Sequence, residues 1–230
     1  MNVWVLCLAT IFIALYVDAG SHLNQKARTR RAEPRSPRKS AIHNKRSYHK
    51  NRSHDPNNNS TDIQEKIKMV RLLVYDSKFM AMSTHSIEFP DYIDANLQIT
   101  ADGGCGIPYT YMSKNDLTAI DLLQNNKTSI LFSQATVDNS CDDYPLQAKD
   151  PKCGRALLIG EWFKVEPGTQ NYKFGKESLF KKVPGFADLD EDEYDVGKLS
   201  IRHVLVRGDD GKEQELPLDE YMNYPPLIEE

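Results

Sequence analysis

Histidine, cysteine and carboxylate side chains carry most metal and acid–base chemistry, so their spacing comes first. The chain has six histidines, His22, His43, His49, His54, His85 and His203, and four of them precede Asp55. Neither His85 nor His203 belongs to a His-x-x-x-His or His-Glu-x-x-His pattern, which argues against a zinc site. No Gly-x-Ser-x-Gly elbow and no P-loop is present. The segment Asp102-Gly-Gly-Cys-Gly106 has the glycine content of a phosphate-cradling loop. It precedes an alternating apolar segment rather than a helix start, so a hairpin turn is expected there. The acidic run Asp188 to Asp195 lacks the spacing of a calcium-binding loop and reads as a solvated surface. No catalytic, cofactor-binding or metal-binding residue is assigned on this basis.

Cysteine and asparagine carry more information. Cys141 and Cys153 bracket an irregular segment between two expected strands. In an oxidising compartment pairing is the default, and closing so short a loop stabilises by about 3 kcal/mol on the chain-entropy model. Two free thiols are the alternative. Cys105 has no obvious partner and is open to three readings: buried, free or joined to a second subunit. Sequons for N-glycosylation begin at Asn51, Asn58, Asn59 and Asn126. Asn58 and Asn59 are adjacent, so one of the two is expected to be used. An occupied Asn126 requires that its turn lie on the surface.

The compartment is set by the first residues. Val3 to Val17 is an almost unbroken apolar run, ending in Val17-Asp18-Ala19. About 15 apolar residues are too few for a comfortable bilayer span, and the small residues fit cleavage after Ala19. Residues 1–19 therefore read as a secretory signal peptide, with a signal anchor as the alternative. Cys7 leaves with the signal.

Charge divides the remainder. Residues 20–62 carry 11 Lys/Arg against three acids, a net charge of +8. Residues 63–230 carry 18 Lys/Arg against 29 acids, a net charge of −11. The basic arm lacks apolar periodicity and is rich in Arg, Lys, Asn, Ser and Pro, so it cannot bury enough surface to offset ordering entropy. It is expected to be disordered. Its Arg28-Thr-Arg-Arg31 resembles a proprotein-convertase site, with cleavage after Arg31. A heparan sulfate contact and a membrane-surface contact are equally open, because all three readings require only exposure. The acidic body argues against nucleic acid as a partner. The mean hydropathy of −0.58 excludes a polytopic membrane protein.

The body, residues 63–230, suits one domain. Ile63, Ile67, Val70 and Val74 recur at helical spacing, and Thr61-Asp-Ile-Gln64 forms a capping box, so a helix is expected to start near Asp62. Phe79 to Ser83 reads as a strand. Ala95, Leu97 and Ile99, then Ile107, Tyr109 and Tyr111, alternate on either side of the glycine turn as a hairpin. Ser113-Lys-Asn-Asp116 caps an expected second helix that carries Leu117, Ile120 and Leu123. Ser129 to Ala135 and Arg155 to Val165 are further strands, Lys176 to Lys182 a short helix, and Pro217 to Tyr221 a Pro-first helix. Leu199 to Val206 is a strand whose apolar set changes phase between Ile201 and Val204, the mark of a bulge. Many strands with few helices and no βαβ alternation point to an α+β domain centred on a barrel.

Several stretches together resemble the CREG family of secreted glycoproteins, named as cellular repressors of adenovirus-early-gene-stimulated transcription. They are Ala81-Met-Ser-Thr84, Gly106-Ile-Pro-Tyr-Thr-Tyr-Met-Ser113, Leu123 to Ile130, Ser133-Gln-Ala135, Asp150-Pro-Lys-Cys153, Glu177-Ser-Leu-Phe180 and Pro217 to Tyr221. Their order matches along residues 65–225, and the arm lies outside. The resemblance implies a split β-barrel, similar to pyridoxamine-phosphate-oxidase-like FMN-binding proteins, and a homodimer. Flavin-binding relatives hold the cofactor phosphate with a Lys or Arg that here falls near Ala119, and alanine cannot grip a phosphate. Lys114 and Lys127 flank that position without occupying it. The resemblance thus implies a protein without cofactor or catalysis. It would regulate growth or differentiation through receptors such as the mannose-6-phosphate receptor, outside the cell and with delivery to lysosomes. An FMN-dependent oxidoreductase is the alternative.

Overall fold

The computed structural model describes residues 56–137, 141–207 and 212–227. The apolar run near the N-terminus, Arg28, Arg31 and Asn51 lie outside the described residues.

Seven strands form one antiparallel sheet: β1 (Phe79–His85), β2 (Ile93–Ala101), β3 (Tyr109–Ser113), β4 (Lys127–Ser133), β5 (Arg155–Lys164), β6 (Tyr194–Arg207) and β7 (Glu213–Leu216). The order is β3-β2-β1-β4-β5-β6-β7, and β3 also pairs with β6. That extra pairing closes β1 to β6 into a six-stranded barrel and leaves β7 on an edge of β6. Closure removes the open edges that would otherwise template aggregation.

Helix α1 (Pro56–Asp76) begins six residues before the expected Asp62, so Thr61 to Gln64 lies inside the helix. Proline at a first helical position fits because its missing N–H would be unpaired there anyway. The predicted stripe is correct: Ile67, Val70 and Val74 are fully buried against the barrel core, with Ile63 packed at its margin. Each such side chain contributes about 1.5–3 kcal/mol by leaving water. The strand β6 bulge is also found, with Ile159 opposite His203 and Gly160 opposite Ile201, so Arg202 is the extra residue. Helix α3 (Gln170–Lys182) is longer than expected because the Thr169 side chain accepts a hydrogen bond from the Tyr172 N–H and caps it earlier. A second core lies under α3, where Tyr109, Tyr111, Leu179, Phe186 and Val196 are buried.

Two expected faces are inverted. On β2, Ala95 and Leu97 point outward while Gln98 and Thr100 point into the barrel. On α2 (Leu117–Gln124), Leu117 and Leu123 are more than half exposed, and Thr118, Ala119, Asp121 and Leu122 are buried. The inside of this end of the barrel is polar. The Thr84 hydroxyl donates to an Asp121 carboxylate oxygen at 2.8 Å, the Ile87 N–H donates to the other at 2.9 Å, and the Gln98 amide donates to Asp116 at 3.2 Å. These hydrogen bonds, together with the core contacts of Ala119 and Leu122, seat α2 and leave Leu117 and Leu123 facing out.

Candidate functional site

A groove opens on the outer sheet face where β1, β4, β5 and β6 run side by side. Cross-strand register explains the convergence, because residues directly opposite one another share a face. Ser83 lies opposite Ser129, Lys127 opposite Glu161, and Ile159 opposite His203. The β6 bulge then adds Arg202 beside His203, so two consecutive residues reach one rim. The groove has a volume of about 420 Å³, within the range of small-ligand sites. Isoleucines 93 and 159 supply its apolar wall.

The charged groups are unevenly matched. Arg202 donates to a Glu161 carboxylate oxygen at 3.1 Å. The His203 ring contacts a Glu215 carboxylate oxygen at 2.7 Å. Lys127, although directly opposite Glu161, makes no ion pair among the described residues. The Ser83 hydroxyl donates to the Ser129 carbonyl at 3.2 Å, and the Thr128 hydroxyl donates to the Ser83 carbonyl at 2.9 Å. The sequence reading considered His85 and His203 only as zinc ligands and passed over Arg202. The available signal was the phase change in β6, which forces adjacent residues onto one face.

Beneath the opposite end of the barrel, a buried polar cluster ties four segments together. Arg71 is fully buried on α1 and donates to the carbonyls of Gly104 at 2.7 Å and Tyr221 at 3.1 Å. Its guanidinium lies 5.5 Å from the Tyr221 ring centroid and 5.6 Å from that of Tyr224. The glycine segment is the expected turn between β2 and β3. The Asp102 carboxylate closes it by accepting from the N–H groups of Gly104 at 3.1 Å and Gly106 at 2.7 Å. Burial pushes the Asp102 carboxyl above the usual range, against the pull of those two N–H groups and of Lys182 and Arg71. Cys105 is buried and outside any disulfide, and its thiol donates to the Asp102 carbonyl at 3.1 Å.

Cys141 and Cys153 form a disulfide with Cα atoms 5.5 Å apart, both residues fully buried. Asn58 and Asn59 lie in the first turns of α1. Asn126 is half-exposed between α2 and β4, beside the groove. Ala119 is buried on α2 and does not line the groove. Lys114 donates to the Asp192 carbonyl and Lys127 projects into the groove, so neither takes the Ala119 position. Ala119 thus offers no cation at the position where the family resemblance would place a phosphate grip.

Residues 61–223 match the family model described as CREG, β-barrel. The chain belongs to the CREG β-barrel family. The protein CREG1 of Gallus gallus is 23% identical over 172 residues, spanning 71% of this chain and 88% of that relative. A heme-binding protein from Mycobacterium smegmatis superposes with a TM-score of 0.57 at 16% identity, over 68% of this chain and 60% of that one. ChuZ of Campylobacter jejuni superposes with a TM-score of 0.53 at 13% identity, over 69% and 61%. At these identities the solved structures establish the split-barrel fold and nothing more. No described helix is long and apolar enough to cross a membrane.

Proposed function

We propose that this CREG-family chain is a non-enzymatic secreted glycoprotein that acts by binding, as a homodimer. The observation that supports assembly is the inverted polarity of the barrel wall. Phe79, Leu97 and Leu131 stand on adjacent strands, with Ala81 opposite both Leu97 and Leu131, and each of the three is at least 41% exposed. Contiguous apolar surface of this kind marks an interface. A second copy presenting the same face would cover it by two-fold symmetry. Light scattering should show a dimer for the wild type and a monomer for the Leu97→Glu, Leu131→Glu double variant. A wild-type monomer would refute the assembly.

The family supports growth or differentiation control through receptors that read glycans, such as the mannose-6-phosphate receptor, with part of the protein delivered to lysosomes. Residues 1–19 would act as the signal peptide. Residues 20–62 would form a basic arm cleaved after Arg31, leaving a mature chain near −7. The glycans would sit on Asn51, Asn58 or Asn59, and Asn126. Enzymatic glycan trimming should abolish cell-surface binding. Retention of binding after trimming, with loss on arm deletion, would make the arm the recognition element instead.

The competing reading is an FMN-dependent oxidoreductase, supported by the shared barrel and opposed by Ala119. Absorbance near 450 nm that survives dialysis would establish that reading and overturn the non-enzymatic one.

A further inference from the structure

We infer that the groove between β1, β4, β5 and β6 binds the oxyanion group, carboxylate or phosphate, of a small molecule. The site is separate from Ala119 on α2, so it owes nothing to the way flavin-binding relatives hold a phosphate.

Three observations carry it. The first is charge. The lining holds two permanent cations, Lys127 and Arg202, against one carboxylate, Glu161. Arg202 engages that carboxylate at 3.1 Å, so Lys127 is the surplus charge. Glu215 is the next carboxylate, held against His203 on β7, three strands from Lys127 on β4, so the excess positive charge is local to Lys127. The second is donor supply. The Ser129 hydroxyl and the His85 ring line the same groove and make no hydrogen bond among the described residues. An ammonium flanked by a hydroxyl and an imidazole offers charge-assisted donors to an anionic oxygen. The third is construction. The register brings Lys127, Ser129 and Ser83 to one face, and the bulge turns both Arg202 and His203 toward it. An ordinary strand would send one of that last pair into the core.

The test is a titration of the purified full chain with inorganic phosphate and, separately, with acetate. Ionic strength and pH are held constant, and the imidazole proton resonances of His85 and His203 are followed by NMR. We expect saturable shifts of these two histidines with at least one of the anions. Lys127→Gln should weaken that binding at least fivefold while leaving the amide spectrum that of the folded protein; it also preserves the Asn126 sequon. Lys68→Gln, on an exposed turn of α1, should leave it within twofold. Saturation by phosphate alone or by acetate alone supports the site and names the head group. Absence of saturation with both anions, or an unchanged affinity in Lys127→Gln, overturns it.

Discussion

Replacing Arg71 with methionine should cost about 3–5 kcal/mol of stability, the range for removing one member of a buried charged network. The magnitude follows from what the side chain holds. Arg71 donates to the buried carbonyls of Gly104 and Tyr221 and, at 3.4 Å, to the half-buried carbonyl of Tyr224. Both buried carbonyls keep a backbone donor, the Leu227 N–H at 2.9 Å and the Tyr224 N–H at 3.3 Å, so what is lost is two charge-assisted hydrogen bonds, each worth about 1.5–3 kcal/mol. Two such bonds give roughly 3–6 kcal/mol, and the loss of cation contact with two tyrosine rings adds about 1 kcal/mol or more. Opposing this, methionine escapes the cost of burying a guanidinium and keeps most of the apolar stem. The network also touches the C-terminal segment, since the Leu227 N–H donates to the Gly104 carbonyl at 2.9 Å. Urea unfolding should therefore show a lower midpoint at unchanged slope. Hydrogen exchange should show loss of protection at the Leu227 amide beyond the global change. Arg71→Lys should recover less than half, because one ammonium cannot span carbonyls that a planar fork reaches together. A methionine variant within about 1 kcal/mol of wild type would refute the reasoning, since the guanidinium's hydrogen bonds would then add nothing to what the backbone donors supply.

Three further outcomes follow from the same geometry. Gly104→Ala should destabilise by more than about 1 kcal/mol, because its φ of 84° disfavours a side chain and a Cβ would lie 1.9 Å from the Leu227 carbonyl oxygen; urea unfolding measures it. Burial pushes the Tyr111 hydroxyl up to about 12 and the Tyr221 hydroxyl higher still. The unfolded chain ionises these groups first, so their contribution is intact below pH about 10 and is lost as pH rises through the folded values. Absorbance at 295 nm should show the two titrating late, together with alkaline unfolding. Cys141→Ala with Cys153→Ala should lower stability by about 3 kcal/mol, read as a drop in Tm, if the bridge acts mainly on the unfolded chain.

The elements were legible where burial and periodicity agree. Ile67, Val70 and Val74 on α1 repeat every three or four residues and face the core. The cap of α2 falls within the expected Ser113 to Asp116 segment, at its last residue, where Asp116 accepts from the Thr118 N–H at 2.8 Å. The faces of α2 and β2 were not legible, because the rule that apolar residues turn inward fails where the inward face is a hydrogen-bonded polar one. There Leu97, Leu117 and Leu123 face out while Gln98, Asp121 and Thr84 bond one another or their neighbours inside. Nothing in a single sequence separates an apolar stripe that meets a core from one that meets a partner. The Arg71 cluster was hidden for a different reason. It joins residues separated by 33 and 150 positions through backbone carbonyls, which carry no side-chain signature.

The bulge in β6 connects core and groove more tightly than either shows alone. Before it, Leu199 and Ile201 fill the core; after it, Val204 and Val206 do. Strict alternation would have continued with His203, placing an imidazole inside and Val204 outside. One extra residue restores apolar phase for the second half of the strand, and its unavoidable by-product is a pair of adjacent outward residues, Arg202 and His203. Arg202 draws Glu161 toward itself, which withdraws that carboxylate from the Lys127 it faces across the ladder. The surplus positive charge at Lys127 is thus a consequence of the bulge that keeps β6 in apolar phase. A substitution chosen to tidy the strand, such as replacing Arg202 by an uncharged residue, would return Glu161 to Lys127 and neutralise the groove without touching its floor.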